Sequence, residues 1–105
     1  MISVFREAVK DALYPNRHGV LSMRNRFLKT VGPEEMTAAD IRKLRKSLQL
    51  STAVFASALA VSVKTVEAWE RGTNIPSGPA LRMMNMIRKY PDLLLETGIF
   101  EEMLN

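Results

Sequence analysis

At 105 residues, 47% hydrophobic and 25% charged, the chain has the size and composition of one compact globular domain with an appendage. Fifteen Lys and Arg against eleven Asp and Glu give a net charge of +4, a balance that suits an anionic partner such as nucleic acid without requiring one. The absence of cysteine excludes disulfides and cysteine-ligated metal, and no apolar run approaches the ~18 residues of a membrane span.

In chain order, Ser3 is placed to cap a helix in which Phe5, Val9 and Leu13, flanked by Val4, Ala8 and Ala12, form an apolar face opposite Arg6, Glu7, Lys10 and Asp11. Pro15 stops it. The acidic residues in this stretch are unlike a secretion signal, so a cytoplasmic location is expected. Residues 16–31 fit two patterns: Val20, Met23, Phe27 and Val31 suit a helix, while Met23, Phe27 and Val31 also suit one face of a strand. Gly32 and Pro33 then break the chain. One amphipathic helix with an ambiguous segment cannot bury its apolar side alone. It has to dock on the rest of the chain, on a second copy or on another protein.

The next stretch is strongly patterned. Thr37 is an N-cap with Asp40 at the capping-box position, and Ile41, Leu44 and Leu48 make an apolar stripe that also contains Arg45. Ser51 caps a second helix, with Phe55, Ala56 and Leu59 on one face. Ala60 and Val61 interrupt it before a further N-cap at Ser62. In the third helix Val66, Trp69 and Glu70 project to one side, Lys64, Ala68 and Arg71 to the other, and Thr65 and Glu67 to the flanks, with Gly72 ending it. Two short helices joined by a tight turn are the pattern of a helix-turn-helix DNA reader. An outer face of short and cationic side chains lets such a helix approach base edges in the major groove. Glu70 faces inward and needs a partner to offset its desolvation. Arg45, stranded on the inner face of the first helix of this region, is the matching cation.

Ser77 starts another helix, with Ala80, Met83, Met84 and Ile87 on the stripe that closes the core. Met83, Met84 and Met86 read as core filling rather than a soft-metal site. Pro91 begins a short last helix through Leu93 to Leu95, and after Gly98 come Ile99, Phe100, Met103 and Leu104. These last apolar residues are expected to form a dimer contact, the alternative being that they pack back on the same chain. Residues 37–78 hold six basic side chains against three acidic, and residues 79–105 three against four. The positive potential therefore lies with the proposed reader, as counterion-release binding requires. For catalysis the chain offers one histidine, His18, and no phosphate loop, metal spacing or nucleophile motif. An enzyme is not expected, nor any cofactor.

Arg45, the S-x-x-x-F-A-x-x-L run from Ser51 to Leu59, the V-S-x-x-T-V-x-x-W-E-x-G run from Val61 to Gly72, and the P-S-G-x-A-x-R run from Pro76 to Arg82 resemble the XRE (Cro/CI-type) helix-turn-helix family. The likeness covers residues 37–90 and is nearest to HigA-type antitoxins and NadS-like regulators. It implies an all-α, five-helix lambda-repressor-like domain over residues 37–105, preceded by a partner-binding or dimerisation segment over residues 1–36. It implies phosphate contacts from Ser51, Thr52, Arg71 and Asn74, and base-edge contacts from Ser62, Val63, Lys64, Thr65 and Ala68, on a palindromic double-stranded operator bound by a homodimer. It further implies an antitoxin that represses its own operon and neutralises a RelE/HigB-like toxin, with Phe5, Val9, Leu13, Met23 and Phe27 as the toxin-binding residues. Two other readings stand beside it: a stand-alone repressor of a phage or mobile element, and a protein-interaction module using Val54 and Ala58. The chain departs from the family pattern at Thr52, where glutamine is usual, at Val54, where a polar residue is usual, and at Ala60, where glycine commonly makes the turn. At Ala60 either the turn differs or the chain tolerates a non-glycine residue at positive φ.

Overall fold

In the computed structural model the described residues are 28–103, and every regular element among them is helical. The order is α1 (Ala38–Ser47), α2 (Thr52–Leu59), α3 (Val63–Arg71), α4 (Gly78–Lys89) and α5 (Leu93–Glu96), which is the expected all-α, five-helix architecture. The helix expected from Ser3, with Phe5, Val9 and Leu13, lies outside the described residues, as does most of the two-pattern segment 16–31 with Met23 and Phe27.

Local side-chain bonds set the helix starts. The Thr37 hydroxyl accepts the Asp40 N–H at 3.1 Å while the Asp40 carboxylate accepts the Thr37 N–H at 2.9 Å, a complete capping box. Ser51 and Ser62 accept the N–H groups of Val54 and Thr65, each at 3.1 Å. Ser77 makes no such bond, and α4 instead begins with a proline in its first turn, where the missing N–H costs nothing.

The ends of α1, α2 and α3 each pass through a left-handed residue: Gln49 (φ 59°), Ala60 (φ 57°) and Gly72 (φ 77°). The helix-turn-helix turn thus keeps the geometry for which glycine is suited, and the alanine at position 60 carries the strain, about 1 kcal/mol. The Val61 N–H reaches back to the Ala56 carbonyl at 3.0 Å, closing the end of α2.

Helix α3 packs against both α1 and α2, and α5 packs on α4. The core joins Ile41 and Leu44 of α1, Phe55, Ala56, Ala58 and Leu59 of α2, Val66 and Trp69 of α3, and Leu94 of α5. From α4 it takes Leu81, Met84 and Ile87, while Ala80 and Met83, expected on the buried stripe, are half-buried beside it. A leucine removes more apolar area from water than an alanine, so the face centres on Leu81 rather than Ala80. Ala58 is 7% exposed and cannot form the outer surface that one reading gave it; only Val54 of that pair lies outside. Phe100 packs back on the core, its N–H bonded to the Leu94 carbonyl at 2.8 Å, whereas Ile99 and Met103 are exposed. Of the residues expected at a dimer contact, Phe100 therefore serves its own chain.

The compact unit begins at Gly32, ahead of the first helix. Met36 is buried in the core. Glu34 is tied to α4 through its N–H to the Asn85 side-chain oxygen at 2.7 Å, its carbonyl to the Asn85 amide at 3.0 Å, and an ion pair with Arg88 at 3.1 Å.

Candidate nucleic-acid interface

The outward face of α3 is defined by what the helix buries. Val66 and Trp69 face the core, 0% and 4% exposed, which turns Lys64, Glu67 and Arg71 to solvent and leaves Thr65 and Ala68 half-buried. Val63, in the first turn, is exposed. The Ser62 and Thr65 hydroxyls lie 2.8 Å apart and bond to each other, while Ser62 also caps the helix. Those two side chains therefore stiffen the first turn.

At the other end of α3, Gly72 and the residues after it fold back on the helix. The Thr73 N–H and hydroxyl both donate to the Ala68 carbonyl, at 3.0 and 3.2 Å, and the Asn74 side-chain oxygen accepts the Ile75 N–H at 3.0 Å. Asn74 is exposed and held by its own loop. A β-carbon at position 72 would lie 3.9 Å from the Ala38 β-carbon, so it is the positive φ rather than lack of space that calls for glycine there. Ser51 is exposed and Thr52 half-buried at the start of α2. The unpaired N–H groups of a helix start, with the positive end of its dipole, suit a phosphate oxygen.

The orientation of α3 is fixed from behind. Arg45 meets Glu70 side-on, Nε to Oε2 at 2.8 Å and Nη2 to Oε1 at 2.9 Å, and its remaining nitrogen donates to the Leu50 carbonyl at 3.1 Å. The two side chains are 16% and 10% exposed. The ion pair drawn from two stranded charges is present, and it is two-pronged. Its hydrogen bonds, ahead of the burial that opposes them, hold the Arg45 guanidinium above its ordinary pKa. Arg42 donates to the Glu70 main-chain carbonyl. It thus satisfies an acceptor at the C-terminal end of α3, where carbonyls lack helical partners. Its place one turn before Arg45 on α1 was the available signal.

These features are a short, stiffened helix whose outer face carries Lys64, Glu67 and Arg71, packed on a second capped helix. Against known families, residues 7–98 match the model of the antitoxin component of bacterial toxin–antitoxin systems, MqsA. The chain belongs to the MqsA antitoxin family. It is also similar to Antitoxin HigA-2 of Vibrio cholerae serotype O1 (strain ATCC 39315 / El Tor Inaba N16961), at 29% identity over 76 residues, covering 72% of this chain and 73% of that protein. The MqsA match spans the reader and most of the segment before it. It makes the chain an antitoxin of a toxin–antitoxin system and points to a regulatory rather than an enzymatic protein. The XRE-like, HigA-type resemblance read from Arg45 and the W-E-x-G run agrees with both findings. No helix among the described residues is long and apolar enough to cross a membrane.

Proposed function

We propose that this antitoxin represses its own operon and neutralises a RelE/HigB-like ribonuclease toxin in the cytoplasm. A homodimer sets one α3 per protomer into the major groove of a palindromic double-stranded operator. Lys64, Val63 and Ala68 approach base edges, and Ser51, Thr52, Arg71 and Asn74 hold phosphates; Ser62 and Thr65 shape the first turn between them. The observation that carries this reading is the outer face of α3, where Lys64 and Arg71 outnumber Glu67 and the half-buried Ala68 adds only a methyl group, backed by the Arg45–Glu70 pair that fixes its direction. The segment before the reader, with Phe5, Val9, Leu13, Met23 and Phe27, is the toxin-binding part, since its apolar side chains need a partner to cover them.

The test separates the two activities. A chain beginning at Gly32 keeps Met36 and the Glu34–Asn85 bonds, so it is expected to bind the DNA upstream of its own gene with strong salt dependence. The same chain is expected to leave cells exposed to the neighbouring toxin. Full protection by the shortened chain would remove toxin binding from residues 1–31. Equal binding of the full chain to upstream and random DNA would remove the operator.

A further inference from the structure

Most of the polar chemistry near the tip of α3 is already committed. Ser62 Oγ accepts the Thr65 N–H and shares a second hydrogen bond with the Thr65 hydroxyl, and Thr65 is half-buried. Ala68 offers only a methyl group. What the first turn presents outward is therefore the Lys64 ammonium and, beside it at the first helical position, the Val63 isopropyl group, 41% exposed with no core role, with the Glu67 carboxylate exposed one turn further on. A recognition helix meets bases chiefly through its N-terminal residues. In the major groove the one apolar feature that distinguishes a base pair is the C5-methyl of thymine, while an ammonium seeks the N7 and O6 acceptors of guanine.

We infer that Val63 is a specificity-determining residue that reads a thymine C5-methyl in each operator half-site, next to a guanine met by Lys64. The inference rests on the proposed groove binding of α3 and adds the chemistry of what it reads. Burying one methyl-sized group contributes about 0.8 kcal/mol, which is about fourfold in affinity per half-site and roughly fifteenfold over two.

The experiment uses the full chain and the DNA upstream of its gene, prepared once with thymine and once with uracil throughout, which deletes every C5-methyl and leaves Watson–Crick pairing intact. The unsubstituted protein is expected to bind the uracil fragment roughly fifteenfold more weakly. Val63→Ala, at an exposed position where folding is not at stake, is expected to bind the thymine fragment with a similar loss and to respond little to uracil. That non-additivity ties the methyl to Val63 rather than to a change in DNA shape. Selective binding that ignores uracil, or an equal uracil penalty for both proteins, overturns the inference while leaving the DNA reader standing. Absence of any preference for the upstream fragment over random DNA overturns the reader, and the inference with it.

Discussion

Replacing Glu70 with alanine probes the element that sets the direction of α3. The carboxylate accepts two charge-assisted bonds from Arg45 at 2.8 and 2.9 Å, each worth about 1.5–3 kcal/mol. Its loss strands a guanidinium that is only 16% exposed. Stranding one partner of a buried pair costs about 3–5 kcal/mol, and the remaining exposure of Arg45 places this case near 3 kcal/mol. A unit the size of Gly32–Asn105 has a total stability of about 4–11 kcal/mol, so the variant should be near the edge of folding. The assay is urea unfolding followed by fluorescence of Trp69, the sole tryptophan and 4% exposed. Arg45→Leu should cost a similar amount. The double variant Arg45→Leu/Glu70→Ala should cost less than the two single changes together by about 2 kcal/mol, because no charge is left unpaired. Part of what it still loses, about 1 kcal/mol, is the donor forfeited by the Leu50 carbonyl. A Glu70→Ala cost below about 1 kcal/mol, or strict additivity in the double variant, would refute the reasoning.

On DNA, Lys64→Ala is expected to narrow the gap between upstream and random sequences by about 1–3 kcal/mol, whereas Arg71→Ala should weaken both alike and reduce the salt slope by about one unit; shift assays at several salt concentrations separate the two. Ala60→Gly should raise stability by about 0.5–1 kcal/mol, relieving the left-handed backbone at an exposed position, and a lower melting temperature would contradict the strain argument. Acidification should erase the capping box. The Thr37 N–H, then its hydroxyl, hold the Asp40 carboxyl below its ordinary pKa, so the group stabilises the fold above about pH 4 and loses that contribution as pH falls through the lowered value. Asp40→Asn should accordingly differ from the unsubstituted protein at neutral pH and converge with it in acid melts.

The parts of the reader legible in sequence are those whose interactions are local or whose charges are out of place. The caps at Thr37, Ser51 and Ser62 act across three residues, within the reach of a sequence pattern. Arg45 and Glu70 are 25 residues apart, yet each betrays itself as a charge on an apolar face. Arg42 and Asn85 lack that signal. Their partners are main-chain atoms 28 and 51 residues away, and a backbone acceptor has no residue type to recognise. Helix α2 differs: Ala53 and Ala58 interrupt its periodicity with side chains too small to mark a face, so the pattern does not show that Ala58 packs inside.

The length of α3 constrains how the proposed reader achieves selectivity. Nine residues at ~1.5 Å each make a helix of about 13.5 Å, which spans about four base pairs at ~3.4 Å per pair. Four pairs single out only about one site in 250, against the million or more competing sites of a genome. With the Ser62 and Thr65 hydroxyls turned to each other, even those four pairs are read by few side chains. One protomer cannot discriminate sufficiently by lengthening contacts along α3, because Gly72 and the Thr73 bonds end the helix there. In the proposed homodimer, selectivity comes from doubling the half-site, and doubling works only if the two recognition helices are held a fixed helical turn apart, ~34 Å. The rigid backing of α3 by Arg42 and Arg45 fits that requirement: a helix free to tilt within its own protomer would blur the spacing that a palindromic operator rewards.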